Sequence, residues 1–195
     1  MRISVILIFN LIIMLMLGFL RPEFRKTWLK WGVIAALLAA AMLVEFQWAM
    51  GAHVLLHLSS CLLLGLAILL WRRGEGLCVL VSAVLAGVVA WKVADLYPLF
   101  WGIVPAQALI ALLFAMIYCK ESGARLLSIT LAPMVSGFCF MFSDYFLFRY
   151  LFLHIGGREV MDVQILSAFL FALLWRARGL NPLHIFRKKV GLNQP

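Results

Sequence analysis

Acidic residues are scarce in this chain. Eight Asp and Glu stand against seventeen Lys and Arg, and charged residues of all kinds fill only 13% of the 195 positions. A soluble domain carries about a quarter charged residues and is about half apolar. Here 66% of the residues are hydrophobic and the mean hydropathy is +1.06. A soluble core of this length has no room for so much apolar surface, so the sequence predicts that lipid solvates most of it. Ser-, Gly- or Pro-rich linkers, low-complexity tracts and internal repeats are missing too, which argues against separate soluble domains. The sequence instead predicts one all-α, polytopic transmembrane helical bundle over residues 1–178 and a basic cytoplasmic tail over 179–195. Cysteine is sparse. Cys61, Cys78, Cys119 and Cys139 lie within or at the ends of apolar segments with no C-x-x-C pair among them. They read as small buried hydrophobes rather than a disulfide framework.

What is abundant is positive charge, and its placement carries the topology. A spanning helix needs about 20 largely apolar residues, and seven runs come near that length: 3–20, 28–44, 53–71, 76–95, 99–119, 126–153 and 161–175. All are expected to be helical, because lipid offers an open backbone no hydrogen-bond partner. No small-x-small cleavage site follows the first run, so it reads as a retained helix and not as a signal peptide. The first connection holds Arg21, Arg25, Lys26 and Lys30, the third Arg72 and Arg73, and the fifth Lys120 and Arg125. The tail holds Arg176, Arg178, Arg187, Lys188 and Lys189. Only Arg2, Lys92, Arg149 and Arg158 fall on the other side, so thirteen of the seventeen cations share one face. Short loops rich in Lys and Arg stay in the cytoplasm. The N-terminus is therefore expected outside and the C-terminus inside. The net charge of +9 then calls for no nucleic acid, whose binders gather basic residues on one face with base-reading side chains. Its partners are anionic lipid head groups, at about 1 kcal/mol per cation.

With that orientation, the outer half of the bundle collects Glu45, Gln47, His53, His57, Lys92, Asp95, Ser143, Asp144, Arg149, Asp162 and Gln164, while the inner half is nearly free of ionisable groups. Ionisable groups at membrane depth pair with one another or line a wet cavity. The candidate site is thus an outward-facing polar cluster of Glu45, His53, His57, Lys92, Asp95, Asp144, Arg149 and Asp162. Lys92 and Asp95 are three apart and read as a local ion pair, with Glu45 as another partner for Lys92; an anion site built from Lys92 and Arg149 is the functional alternative. Asp144 and Arg149, five apart, do not face each other and look to other helices. Asp162 reads as a cap or dipole partner opening the seventh helix, after a Gly156–Gly157 turn with accessible amides. His53 and His57 are four apart, one above the other on a helix face. A zinc site would need ligands from other helices, and Val54 stands where an H-E-x-x-H motif has its glutamate. Interhelical hydrogen bonding is the preferred reading. Ser59 and Ser60 lie one turn deeper without a G-x-S-x-G setting. No catalytic residue, metal ligand or cofactor is assigned.

Small residues recur at four-residue spacing: Ala35, Ala36, Ala39, Ala40 and Ala41 in the second run, and Ser82, Ala83, Ala86, Gly87 and Ala90 in the fourth. Such stripes let helix backbones approach closely, within the bundle or against a partner membrane protein. Pro105 and Pro133 are expected to kink the fifth and sixth helices. Trp48, Tyr97 and Trp101 on one side, and Trp28, Trp31, Trp71 and Trp175 on the other, form interfacial belts.

From Gly137 through His154-Ile155-Gly156-Gly157 to Asp162-Val163-Gln164-Ile165-Leu166-Ser167, about a sixth of the chain, the sequence resembles the YphA-like membrane proteins of spore-forming Firmicutes. The resemblance implies an integral protein of a bacterial plasma membrane and carries over no catalytic residue. The expected function is a non-enzymatic structural, regulatory or partner-binding component. A rival is a small solute-binding or transport subunit with a closed outer cavity lined by Glu45, His57, Lys92 and Asp144. A second rival is a membrane hydrolase, either metal-assisted, with bound zinc, or a serine hydrolase using Ser59 or Ser60.

Overall fold

The computed structural model describes residues 3–16, 27–43, 46–49, 54–71, 74–95, 103–148, 153–156 and 158–179. These are mostly helical. The helices are α1 (Ile3–Met16), α2 (Thr27–Met42), α3 (Leu58–Leu70), α4 (Gly76–Asp95), α5 (Ile103–Tyr118), α6 (Ser122–Phe148) and α7 (Arg158–Gly179). Each of the seven apolar runs therefore overlaps one helix. Three short strands accompany them: β1 (Gln47–Ala49), β2 (Val54–His57) and β3 (Leu153–Ile155).

The strands correct the expectation that every apolar run is helical from end to end. β2 pairs antiparallel with β1, setting His57 opposite Gln47, and parallel with β3, setting Leu55 opposite His154. Mutual pairing satisfies backbone groups that an isolated extended segment would leave bare. The third helix accordingly starts at Leu58 rather than at residue 53. His57 closes a strand, so the helical face proposed for His53 and His57 does not form; His53 itself lies outside the described residues.

Two more expectations change with the helix boundaries. Pro105 falls in the first turn of α5, where a missing N–H costs nothing and no kink is required. Asp162 lies in the second turn of α7, and the acidic residue of the first turn is Glu159. Pro133 does sit inside α6.

The core is built from helix faces of unequal grain. Where α1, α2, α3 and α7 meet, large aliphatics interlock, among them Ile8, Leu11, Leu37, Leu63 and Ile165. Between α4, α5 and α6 the buried residues are small: Ala83, Ala86, Ala111 and Ala132. The α4 stripe of Ser82, Ala83, Ala86, Gly87 and Ala90 is buried throughout, and α4 and α6 share the most extensive helix interface. A buried hydrogen bond crosses it, from Ser128 Oγ to Ser82 Oγ at 2.7 Å. The α2 stripe is less enclosed, with Ala40 buried and Ala35 exposed.

At the other end of α4, Glu75 ties two connections together. Its backbone has φ of +56°. Its Oε2 accepts the backbone N–H of Lys120 at 2.8 Å and of Glu121 at 3.4 Å. An anion beside the unpaired N–H groups opening α6 is favoured by the helix dipole. The Arg125 Nε donates to the Cys119 carbonyl at 2.8 Å in the same connection.

Candidate functional site

The sheet places part of the expected outer cluster. His57 is buried at the junction of β2 and α3 and makes no side-chain cap to the helix. Ser59 and Ser60 follow in the first turn, both buried. Ser60 Oγ donates to the carbonyl of Gly156 at 3.1 Å, joining the start of α3 to the residue after β3. Gly156 is itself buried, with φ of +78°, so it does not present the accessible amides expected of that turn. It lies against Ser60 and the His57 carbonyl. The structure thus brings His57, Ser60 and Gly156 together as a packed joint.

Other members of the cluster are not gathered there. Lys92 is exposed, with its ammonium 3.8 Å from the ring centroid of its neighbour Trp91, a cation–π arrangement. Asp162 is half-buried on α7. Asp95 and Asp144 belong to the backbones of α4 and α6, but their side chains lie outside the described residues, as do Glu45, His53 and Arg149 altogether. Among the described residues, no three His, Cys, Asp or Glu side chains gather as metal ligands.

The more informative geometry lies deeper. A cavity of about 100 Å³ opens between α1, α2, α3, α6 and α7. Neither His57 nor Lys92 is among its described lining residues; Glu45 and the Asp144 side chain lie outside the described residues. Its walls are Leu, Val, Ile and Ala side chains apart from Thr130 of α6 and Gln164 of α7. Gln164 is 1% exposed. Its Nε2 donates to the Thr130 carbonyl at 2.8 Å, less than a turn before Pro133, whose ring lacks an N–H and disturbs the helical ladder. The Gln164 Oε1 has no hydrogen-bond partner. The Thr130 hydroxyl donates back within its own helix, toward the carbonyls of Leu126 and Leu127 at 3.1 and 3.0 Å. Composition and spacing single out Gln164 only as one outer polar residue and pass over Thr130. The available signal is Thr130 three residues before Pro133, a place where a membrane helix exposes backbone to a polar partner.

No family model, curated protein or solved structure matches the chain.

Proposed function

We propose that the chain is an integral protein of a bacterial plasma membrane, of the YphA-like kind, crossing the bilayer seven times with its N-terminus outside and its basic face in the cytoplasm. In this reading it is a non-enzymatic structural, regulatory or partner-binding component. The carrying observation is the sorting of residues on α4. Its stretch Gly76–Ala94 is long and apolar enough to cross a membrane, with a hydropathy of 2.2. Leu77, Leu80, Val84, Leu85 and Val88 are exposed, while the buried positions are Ser, Ala and Gly with Val79. A water-soluble helix turns its large aliphatics inward. The reverse arrangement suits lipid, which solvates leucine well and leaves helices to associate by close approach of small residues.

Two of the seven described helices, α4 and α6, have the length and hydropathy of a span. In α6 the stretch is Ser122–Ser143, and α1, α2, α3 and α5 contain shorter apolar helices. The 13 residues of α3 rise about 20 Å at about 1.5 Å per residue. By itself that is shorter than a hydrocarbon core of about 30 Å.

Orientation is tested with single cysteines placed by Glu159→Cys and Glu121→Cys in a chain whose four native cysteines are alanine. Both glutamates are exposed. A membrane-impermeant maleimide applied to intact cells is expected to label the first site and not the second; the opposite pattern overturns the orientation, and recovery of the chain in the soluble fraction overturns the membrane reading.

The joint at Ser60 supports the absence of hydrolase chemistry. Its hydroxyl proton is directed to the Gly156 carbonyl, whereas a nucleophile directs it to a base. A fluorophosphonate probe is expected to leave Ser59 and Ser60 unmodified in the purified protein. Stoichiometric modification of either would put the hydrolase reading first.

A further inference from the structure

We infer that α1 is the contact face of a symmetric dimer of this chain, closed inside the bilayer by reciprocal hydrogen bonds between the two copies of Asn10. The inference rests on the membrane reading and adds a partner to it, a second copy. It starts from the way α1 divides its residues. Ile8, Leu11 and Leu15 are buried and join the core shared with α2, α3 and α7. Ile6, Phe9, Asn10, Ile13 and Met16 are exposed. Lipid solvates four of these five well and does not solvate an amide. Asn10 is the eighth of the fourteen residues of α1 and lies near the centre of the apolar run 3–20. In a core about 30 Å thick that is far from either head-group layer, and Asn is too short to snorkel. Among the described residues it is the only exposed Asn or Gln.

One hydrogen bond relieves part of the cost. The Asn10 Nδ2 donates to the Ile6 carbonyl of its own helix at 2.9 Å. The group facing a carbonyl must be the nitrogen, so the amide orientation is fixed, with a second N–H and the Oδ1 left over. Among the described residues neither has a partner. One donor and one acceptor on a single group complement themselves. Two copies inserted under the same charge pattern share one orientation. A two-fold axis between them then runs along the membrane normal and sets each residue opposite its own copy at the same depth. Paired α1 helices therefore bring Asn10 to Asn10, each donating its second N–H to the other's Oδ1. The neighbours fit this geometry. Ile6, Asn10 and Ile13 are spaced by four and three, the seam of two helices at a shallow left-handed crossing, where a lone Asn sets register and copy number. Phe9 and Met16 flank that seam. An unrelated partner would have to offer a polar group at this one depth, whereas a second copy offers it by symmetry.

The test is made in native membranes, on the full chain with its four native cysteines changed to alanine and one cysteine returned. Under copper phenanthroline, Ile6→Cys and Ile13→Cys are expected to give disulfide-linked species of twice the chain mass. Leu80→Cys and Leu113→Cys, exposed on α4 and α5, are expected to stay monomeric. Strength is read by energy transfer between fluorophores at Glu121→Cys as the purified chain is diluted in detergent. Asn10→Leu is expected to raise the dimer dissociation constant about tenfold, the effect of an interhelical amide pair. Asn10→Gln, which keeps donor and acceptor, should restore most of it. Thermal unfolding of the dilute monomer should be the same in all three, which a role for Asn10 inside the bundle would not allow. Absence of the disulfide at both Ile6 and Ile13, equal crosslinking at Leu80 or Leu113, a crosslink to a protein of another mass, or an Asn10→Leu dimer as strong as the parent would each overturn the inference. The maleimide experiment reads membrane placement separately. A membrane-inserted chain that stays monomeric defeats this inference alone, and a chain in the soluble fraction defeats both.

Discussion

Gly87→Ala is expected to destabilise the protein by about 2 kcal/mol, and Gly87→Leu by about 3 kcal/mol or more. The sign is the informative part. Gly87 is inside α4, and a glycine inside a helix is ordinarily worth replacing, because alanine removes about 0.5–1 kcal/mol of backbone entropy cost. At this position a Cβ would lie 2.7 Å from both Cβ and Cγ1 of Val135 and 2.9 Å from the Ala132 carbonyl oxygen. Neither a backbone oxygen nor a Cβ can swing aside as the end of a long side chain does. The whole of α4 would have to retreat from α6, loosening the packed alanines and the Ser82–Ser128 hydrogen bond. Gly32 and Gly65 are the controls, since a Cβ on either meets nothing within 4 Å. Gly32→Ala and Gly65→Ala should leave stability unchanged or raise it. Thermal unfolding of the four variants in one detergent, followed by tryptophan fluorescence, checks the ranking. A Gly87→Ala variant as stable as Gly65→Ala would mean that α4 and α6 are not in close contact at this point.

That contact was legible in outline. The stripe from Ser82 to Ala90 announces a close helix approach by composition alone, and a continuous apolar run announces a helix. The same logic fails at residues 54–57. Val54-Leu55-Leu56-His57 continues the apolar run of the third helix without a Gly, a Pro or a change of period. What makes it a strand is pairing on both edges, with residues 47–49 and with residues 153–155 nearly a hundred positions away, and the second of these no local pattern encodes. Pro105 misleads for a related reason: whether a proline kinks a helix depends on where the helix begins, and Ile103 begins it. In the candidate site the sequence singled out charges, while the geometry drew attention to an amide. Gln164 is one polar residue among many until its nitrogen is seen on the Thr130 carbonyl and its oxygen on nothing.

Gly156→Ala should destabilise the protein by about 3–5 kcal/mol, because two separate costs meet at one residue. The first belongs to the backbone. A φ of +78° is free for glycine and strains any residue with a Cβ. The second belongs to packing: the added carbon would stand 2.6 Å from Ser60 Cβ and 3.1 Å from its Oγ, displacing the hydroxyl from the Gly156 carbonyl it serves. Ser60→Ala separates the terms. It keeps the Cβ and gives up only the hydrogen bond, for a loss of about 1 kcal/mol. Ser60→Gly removes the obstructing carbon. In that background Gly156→Ala should cost only its backbone strain, so the double-mutant cycle should show a favourable coupling of at least about 1 kcal/mol. Zero coupling would mean that Ser60 and Gly156 do not touch, and the joint between the start of α3 and the end of β3 would have to be abandoned. Because that joint anchors β2 and β3 against the helix, its loss should free the strand pair before it frees the bundle. Amide exchange resolved by residue is expected to rise across 54–57 and 153–156 in Gly156→Ala while the amides of α4 and α6 stay protected.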